Sequence, residues 1–247
     1  YFKATLCEKG DGVPQDYTEA IKYYKLAAIN HNTDACIRLS EIYSNGIIVN
    51  VDLDQAIKYL KSIINLQRYK YYEDLIGKNG NLYVAYNNLG LIYYTEFHDN
   101  KKAFELIKKS AYNEYPFAQS NYGLMLYLYS KDIENAKYYL KKSSKKNFAV
   151  ADYNLAYIYE KEGDIKKAIE HYMKASNEAN DPIIYRNPNL NDERYELSKK
   201  FIICLTNLKL LEYYLPEHDK NLLKQLFTDA ISILKIDGHD FSIKIEA

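Results

Sequence analysis

The chemistry-bearing side chains of this sequence are five histidines (His31, His98, His171, His218, His239), three cysteines (Cys7, Cys36, Cys204) and its carboxylates. A zinc site needs pairs such as Cys-x2-Cys or His-x3-His, because one turn of chain must present two ligands together. No histidine here has another histidine or a cysteine at that spacing. There is no Gly-x-Ser-x-Gly elbow, no P-loop and no Gly-x-Gly-x-x-Gly fingerprint. Cys36 and Cys204 lie in apolar helical stretches and read as small buried hydrophobes. Glu160 and Glu162 sit in a charged Lys-Glu-Gly-Asp surround, which is the pattern of a solvated face rather than of an acid–base pair. The sequence therefore predicts a protein that is not an enzyme and holds neither cofactor nor metal.

The elements that carry these residues are helical. Glycine and proline number only 9 and 5 in 247 residues, about half their usual combined share, so few chain breakers are present. Lys+Arg and Asp+Glu are balanced at 33 each, which argues against nucleic-acid and membrane-surface binding, since both rely on excess cationic charge. No apolar run approaches the ~20 residues that span a bilayer. Three cysteines cannot frame a chain of this size with disulfides and point to a reducing compartment, hence to the cytoplasm.

Internal repetition organises the chain. The segment from Asp16 (DYTEAIKYYKLAA) returns from Asp52 (DLDQAIKYLKSII), and the same aspartate-to-alanine spacing recurs at Asp99/Ala103, Asp132/Ala136 and Asp164/Ala168. An aspartate there reads as a helix N-cap. Upstream lies a second pattern: Ala35, Leu39, Ser40, Tyr43; Ala85, Leu89, Gly90, Tyr93; Ala118, Tyr122, Gly123, Leu126; Ala151, Leu155, Ala156, Tyr159. Large residues at that spacing share one helix face, and the small residue lets a second helix approach. Each unit is thus an antiparallel pair of helices. An insertion between Ile64 and Ala85, about 65–80, reads as an extension of the second helix ending at Gly77 to Gly80.

The loop Gly10, Gly12, Val13, Asp16, followed by Ala20, Tyr24, Ala27 and Ala28, closely resembles the Sel1-like repeat. The second unit keeps Leu39, Tyr43 and Gly46, and the last three have shorter loops resembling the related tetratricopeptide repeat. The resemblance implies an all-α, right-handed α-solenoid of antiparallel helix pairs that binds other proteins or peptides. It covers residues 1–178 as five repeats, the first truncated, so that the native chain is expected to continue upstream of Tyr1. A loop over 179–190, two C-terminal capping helices over 191–236 and a tail over 237–247 complete the predicted organisation.

In such a solenoid the first helix of each pair lines the concave side. Positions six and three before the small residue, and one and four after it, are expected to face the groove. The predicted partner-binding residues are Asn87, Leu91, Tyr94, Phe117, Ser120, Leu124, Tyr127, Tyr153 and Tyr157, with acids (Asp34, Glu41, Glu160) at the two ends. Tyrosine suits recognition by combining area with a hydrogen-bonding tip. The favoured function is an adaptor or scaffold for a protein or peptide segment, without nucleic acid. The alternatives are a structural subunit of a larger assembly, a groove filled by the chain's own C-terminal helices, a helical-repeat RNA binder, or a hydrolase. The Sel1-like proteins linked to hydrolase activity carry regular paired cysteines, which this chain lacks.

Overall fold

A computed structural model describes residues 1–46, 48–67, 69 and 80–180. Among the described residues every regular element is a helix: α1 (Phe2–Lys9), α2 (Tyr17–Ile29), α3 (Thr33–Asn45), α4 (Leu53–Leu66), α5 (Asn81–Thr95), α6 (Asn100–Tyr112), α7 (Pro116–Met125), α8 (Ile133–Ser144), α9 (Ala149–Lys161) and α10 (Ile165–Asn180). A π-helical turn, Leu126–Ser130, extends α7. The chain divides into two compact units, Tyr1–Ala118 and Gln119–Ala247.

Within the first unit α1 packs on α2, α3 on α4 and α5 on α6, and each second helix also touches the next first helix, α2 on α3 and α4 on α5. Within the second unit α9 packs on both α8 and α10. The alanines picked out by the repeat are the crossing points: Ala20, Ala35, Ala56, Ala85, Ala103, Ala118, Ala136, Ala151 and Ala168 are each at most 1 % exposed. Tyr24, Leu60, Ile107, Leu140 and Tyr172, four residues after the alanine of each second helix, are equally buried.

The small residue of the first helix works as its spacing suggests. A Cβ added at Gly90 would lie 2.6 Å from Ile107 Cγ1 and 3.3 Å from the Ala103 carbonyl oxygen. At Gly123 it would lie 2.7 Å from Leu140 Cγ and 3.0 Å from the Ala136 carbonyl oxygen. The backbones of α5 and α6, and of α7 and α8, are thus in near contact there.

The repeating aspartate has two roles. Its carboxylate accepts the amide three residues on (Asp16 from Glu19, Asp52 from Gln55 and Asp99 from Lys102, each at 3.0 Å; Asp132 from Asn135 and Asp164 from Lys167, each at 3.2 Å) and so satisfies an orphan donor of the second helix. Its own amide donates back to the first helix, at the carbonyl of Cys7, Tyr43, Tyr93, Leu126 or Tyr159, over 2.9–3.2 Å. Those five carbonyls are equivalent positions, so one closure joins hairpins whose loops differ in length. The long loop of the second repeat needs Gly46 at φ 64°, where a Cβ would meet Val51 at 2.7 Å.

Two expectations fall wholly or partly outside the described residues. The helix expected to extend through the insertion ends at Leu66, and residues 70–79 lie outside the described residues. The loop predicted over 179–190 begins inside α10, which runs to Asn180, and its remainder, the capping helices over 191–236 and the tail over 237–247, with Cys204, lie outside the described residues.

Candidate partner-binding surface

The surface to be tested is the face that each first helix turns away from its own second helix. In the first unit Leu91 and Tyr94 of α5 are half-buried, as is Phe117, whose ring stacks on Tyr115 at 5.3 Å. In the second unit Leu124, Tyr127 and Tyr157 are half-buried, and Tyr127 meets Tyr157 edge-on at 6.0 Å. An edge-to-face pair fixes both rings in place, which lowers the entropy either would lose on contact with a partner.

Asn87, Ser120 and Tyr153 behave differently. They occupy the column three residues before the small residue and are only 3 %, 0 % and 3 % exposed. Asn87 Nδ2 donates to Asn88 Oδ1 at 3.2 Å, Ser120 Oγ accepts from Asn154 Nδ2 of α9 at 3.4 Å, and the Tyr153 ring packs edge-on against Tyr172 at 5.4 Å. Successive first helices approach one another, as the bond from α9 to α7 and the packing of α3 on α5 illustrate; Ser120 lies in such a contact, whereas Tyr153 is covered by Tyr172 of its own second helix. The expectation that these three line an open groove is corrected accordingly.

The acids expected at the first end are already engaged. Arg38 of α3 binds Glu8 of α1 through Nε at 2.9 Å and through Nη2, and binds Glu41 through Nη1 at 3.0 Å. Glu8 also accepts the Tyr24 hydroxyl at 2.6 Å, and burial together with Glu8 pushes that phenol's pKa well up. Asp34 accepts Asn81 Nδ2 at 2.9 Å, and the same amide donates to Thr33 Oγ1 at 2.8 Å. Sequence reading missed the Arg38–Glu8 link. Its signal was an isolated arginine on a first helix, one helical turn before Glu41. The last described repeat repeats the motif at equivalent positions, with Tyr172 donating to Glu160 at 2.6 Å. Glu160 therefore serves Tyr172, while Glu162 pairs with Lys137 at 2.6 Å.

A buried polar centre in the second unit was also missed. The Asp152 side chain is fully enclosed and accepts Ser144 Oγ at 2.9 Å, His171 Nδ1 at 2.7 Å and Lys174 Nζ at 3.0 Å. Burial opposes its charge, yet the bonds from His171, Ser144 and Lys174 outweigh burial and hold its carboxyl below the usual value. The residues come from α8, α9 and α10, far apart in sequence, and no local spacing announces them. Cys36 is 2 % exposed, and burial pushes its thiol pKa up. Among the described residues no group of three or more His, Cys, Asp or Glu side chains could hold a metal ion, and no helix is long and apolar enough to cross a membrane.

Comparison with known families matches the Sel1 repeat to residues 4–32, 33–66, 84–115 and 116–148, with a tetratricopeptide repeat at 153–181. The chain belongs to the Sel1 repeat family. Its pairs of helices agree with that assignment one by one, each repeat beginning in a first helix and closing after a second. Solved structures of the same fold include a Sel1 repeat protein from Oxalobacter formigenes (20 % identity, TM-score 0.57, covering 82 % of this chain and 84 % of that one). Another is c5321, a protective antigen present in uropathogenic Escherichia coli strains that displays an SLR fold (18 % identity, TM-score 0.58, 99 % of this chain and 56 % of that one). A third is the immunity protein Pa5087 from Pseudomonas aeruginosa (17 % identity, TM-score 0.52, 83 % and 80 %). No curated protein matches the chain. The α-solenoid class expected from the sequence is thus the fold of this Sel1 repeat chain, a fold that generally mediates protein–protein interaction.

Proposed function

We propose that this Sel1 repeat chain is a non-enzymatic adaptor that holds a segment of another protein against its first helices. Leu91, Tyr94 and Phe117 in the first unit, and Leu124, Tyr127 and Tyr157 in the second, are its contact residues. The observation that carries the reading is the recurrence of large apolar or aromatic side chains, half-open to solvent, one residue after the small residue in three consecutive repeats (Leu91, Leu124, Tyr157) and four after it in the first two of them (Tyr94, Tyr127). A solvated face has no need of them there, and a handful of such anchors supplies most of the affinity of a protein interface. Within each unit the packed helices set the spacing of the anchors, so recognition there is geometric.

The test is a quadruple substitution, Leu91→Ser, Tyr94→Ser, Leu124→Ser and Tyr127→Ser, in the full chain. Partner capture in a pull-down followed by mass spectrometry should be lost while the helical circular-dichroism signal is retained. Unchanged capture overturns the proposal.

A further inference from the structure

The balanced total charge conceals a segregation between helices. Among the first helices of the first unit, α5 carries no charged residue, α1 carries Lys3, Glu8 and Lys9, and on α3, which also bears Asp34, the guanidinium of Arg38 is divided between Glu8 and Glu41. The second helices are different. Beyond their buried alanines (Ala20, Ala56, Ala103), α2, α4 and α6 carry six lysines and one acid, Glu105. Three of the lysines, Lys25, Lys61 and Lys108, stand at one register, five residues after the alanine, so each repeat adds one amine to a row.

Ordinary helix electrostatics does not account for Lys25 and Lys61. Cations are favoured in the last turn of a helix, where they meet the negative end of the dipole. Neither α2 nor α4 has a basic residue there. Nor do Lys25 and Lys61 have an acid three or four residues away on their own helix, although Lys108 follows Glu105 by three. Lys22 and Lys25, and Lys58 and Lys61, are like charges one turn apart, which is locally unfavourable. Glu19, the one acid of α2, is taken by Lys22 at 2.9 Å. Lys25 and Lys61 are exposed and Lys108 is half-buried. Like charges gathered on one face against local preference are stabilised when an anion arrives from outside.

We infer that this row on α2, α4 and α6 docks an acidic segment of a partner protein, on a surface separate from the first-helix contacts proposed above. Charge complementarity names the occupant, and the neighbouring rings select protein over nucleic acid. Single-stranded nucleic acid needs open aromatic faces for its bases and favours arginine's planar fork for its phosphates. Here Lys25 lies over Tyr43 at 5.6 Å, Lys108 over Tyr112 at 5.4 Å and Lys3 over Tyr23 at 4.3 Å, so these rings already hold cations, and α2, α4 and α6 contain no arginine. Ammonium groups with three rotatable donors suit flexible glutamate and aspartate side chains.

The experiment uses the full chain and a fluorescein-labelled peptide of twelve glutamates, read by fluorescence anisotropy at low and physiological salt. Lys25→Glu, Lys61→Glu and Lys108→Glu together should weaken binding by roughly tenfold or more. The equal charge change at Lys9, Lys131 and Lys145 should leave it within about twofold. Equal losses from both triples would mean diffuse attraction and overturn the row. Tighter binding of a twelve-nucleotide uridine RNA or of phosphatidylserine vesicles than of the peptide would overturn the choice of partner. The Leu91, Tyr94, Leu124 and Tyr127 serine variant should bind the peptide normally, which separates failure of this inference from failure of the adaptor reading.

Discussion

Asp152 is the residue on which the second unit's polar interior turns. Its carboxylate is enclosed and carries bonds from three side chains on α8 and α10. Hydrogen bonds to a charged group contribute about 1.5–3 kcal/mol, and Lys174 and His171, both partly exposed, recover some solvation when released. Asp152→Asn should therefore cost roughly 2 kcal/mol in urea unfolding at neutral pH. Because the folded carboxyl titrates below its unfolded value, 3.8, the stabilisation is complete above that value. It is lost as the pH falls through the lower, folded value. The gap between wild type and Asp152→Asn should accordingly shrink as the pH is taken from about 5 to about 2, and a constant gap would deny the charge its part. The small residues make a second prediction at this scale. Alanine at Gly123 would press a Cβ to 3.0 Å from a backbone carbonyl, where nothing can yield cheaply, and overpacking of that kind costs about 1–3 kcal/mol. At Gly90 the nearest atom belongs to the Ile107 side chain and the carbonyl is 3.3 Å away, so the helix-propensity gain of about 1 kcal/mol offsets more of the strain. Gly123→Ala should lower the melting temperature more than Gly90→Ala.

Each pair of helices is closed by one aspartate acting through both its carboxylate and its amide. The carboxylate half can be removed alone. Asp99→Ala should cost about 1 kcal/mol and Asp99→Asn only a few tenths, because asparagine caps nearly as well. Chemical denaturation of the two variants checks the ranking, and equal losses would assign the role to charge instead. The same closure explains why loops of two kinds coexist in one chain. The long glycine-containing loop before Asp16 and Asp52 and the short one before Asp164 end on the same amide-to-carbonyl bond, at 2.9 Å in each case. Loop length is therefore free to vary without altering how the helices pair.

A chain of stacked hairpins distributes its stability along itself, because each repeat is supported by its neighbours alone. Asp99→Ala should thus raise amide hydrogen exchange in α5 and α6 well above any change in α9 and α10, and a uniform rise would contradict the repeat architecture. At this scale too, the two proposed contact surfaces belong to different sets of helices, uncharged and aromatic on the first, cationic on the second. Serine substitutions on one and charge reversals on the other should act independently on binding, since the sites share no residue.

The sequence alone determined the pairs of helices, their order and their crossing points. Alanine and glycine at fixed intervals can serve only one purpose in a helical repeat, and the burial of Ala20 through Ala168 follows from it. It also placed the five aspartates, since an N-cap is a local matter. The tertiary structure decided which outward positions are still open. A first helix touches not just its own partner but the first helix of the next repeat, and that second contact encloses Ser120, while Tyr153 is covered by Tyr172 of its own second helix and Asn87 is equally buried. Likewise the union of Ser144, Asp152, His171 and Lys174, and of Glu8 with Arg38, joins residues that no periodicity links. Local spacing fixes what each helix does with itself, whereas the satisfaction of buried charge depends on which helices stacking brings together.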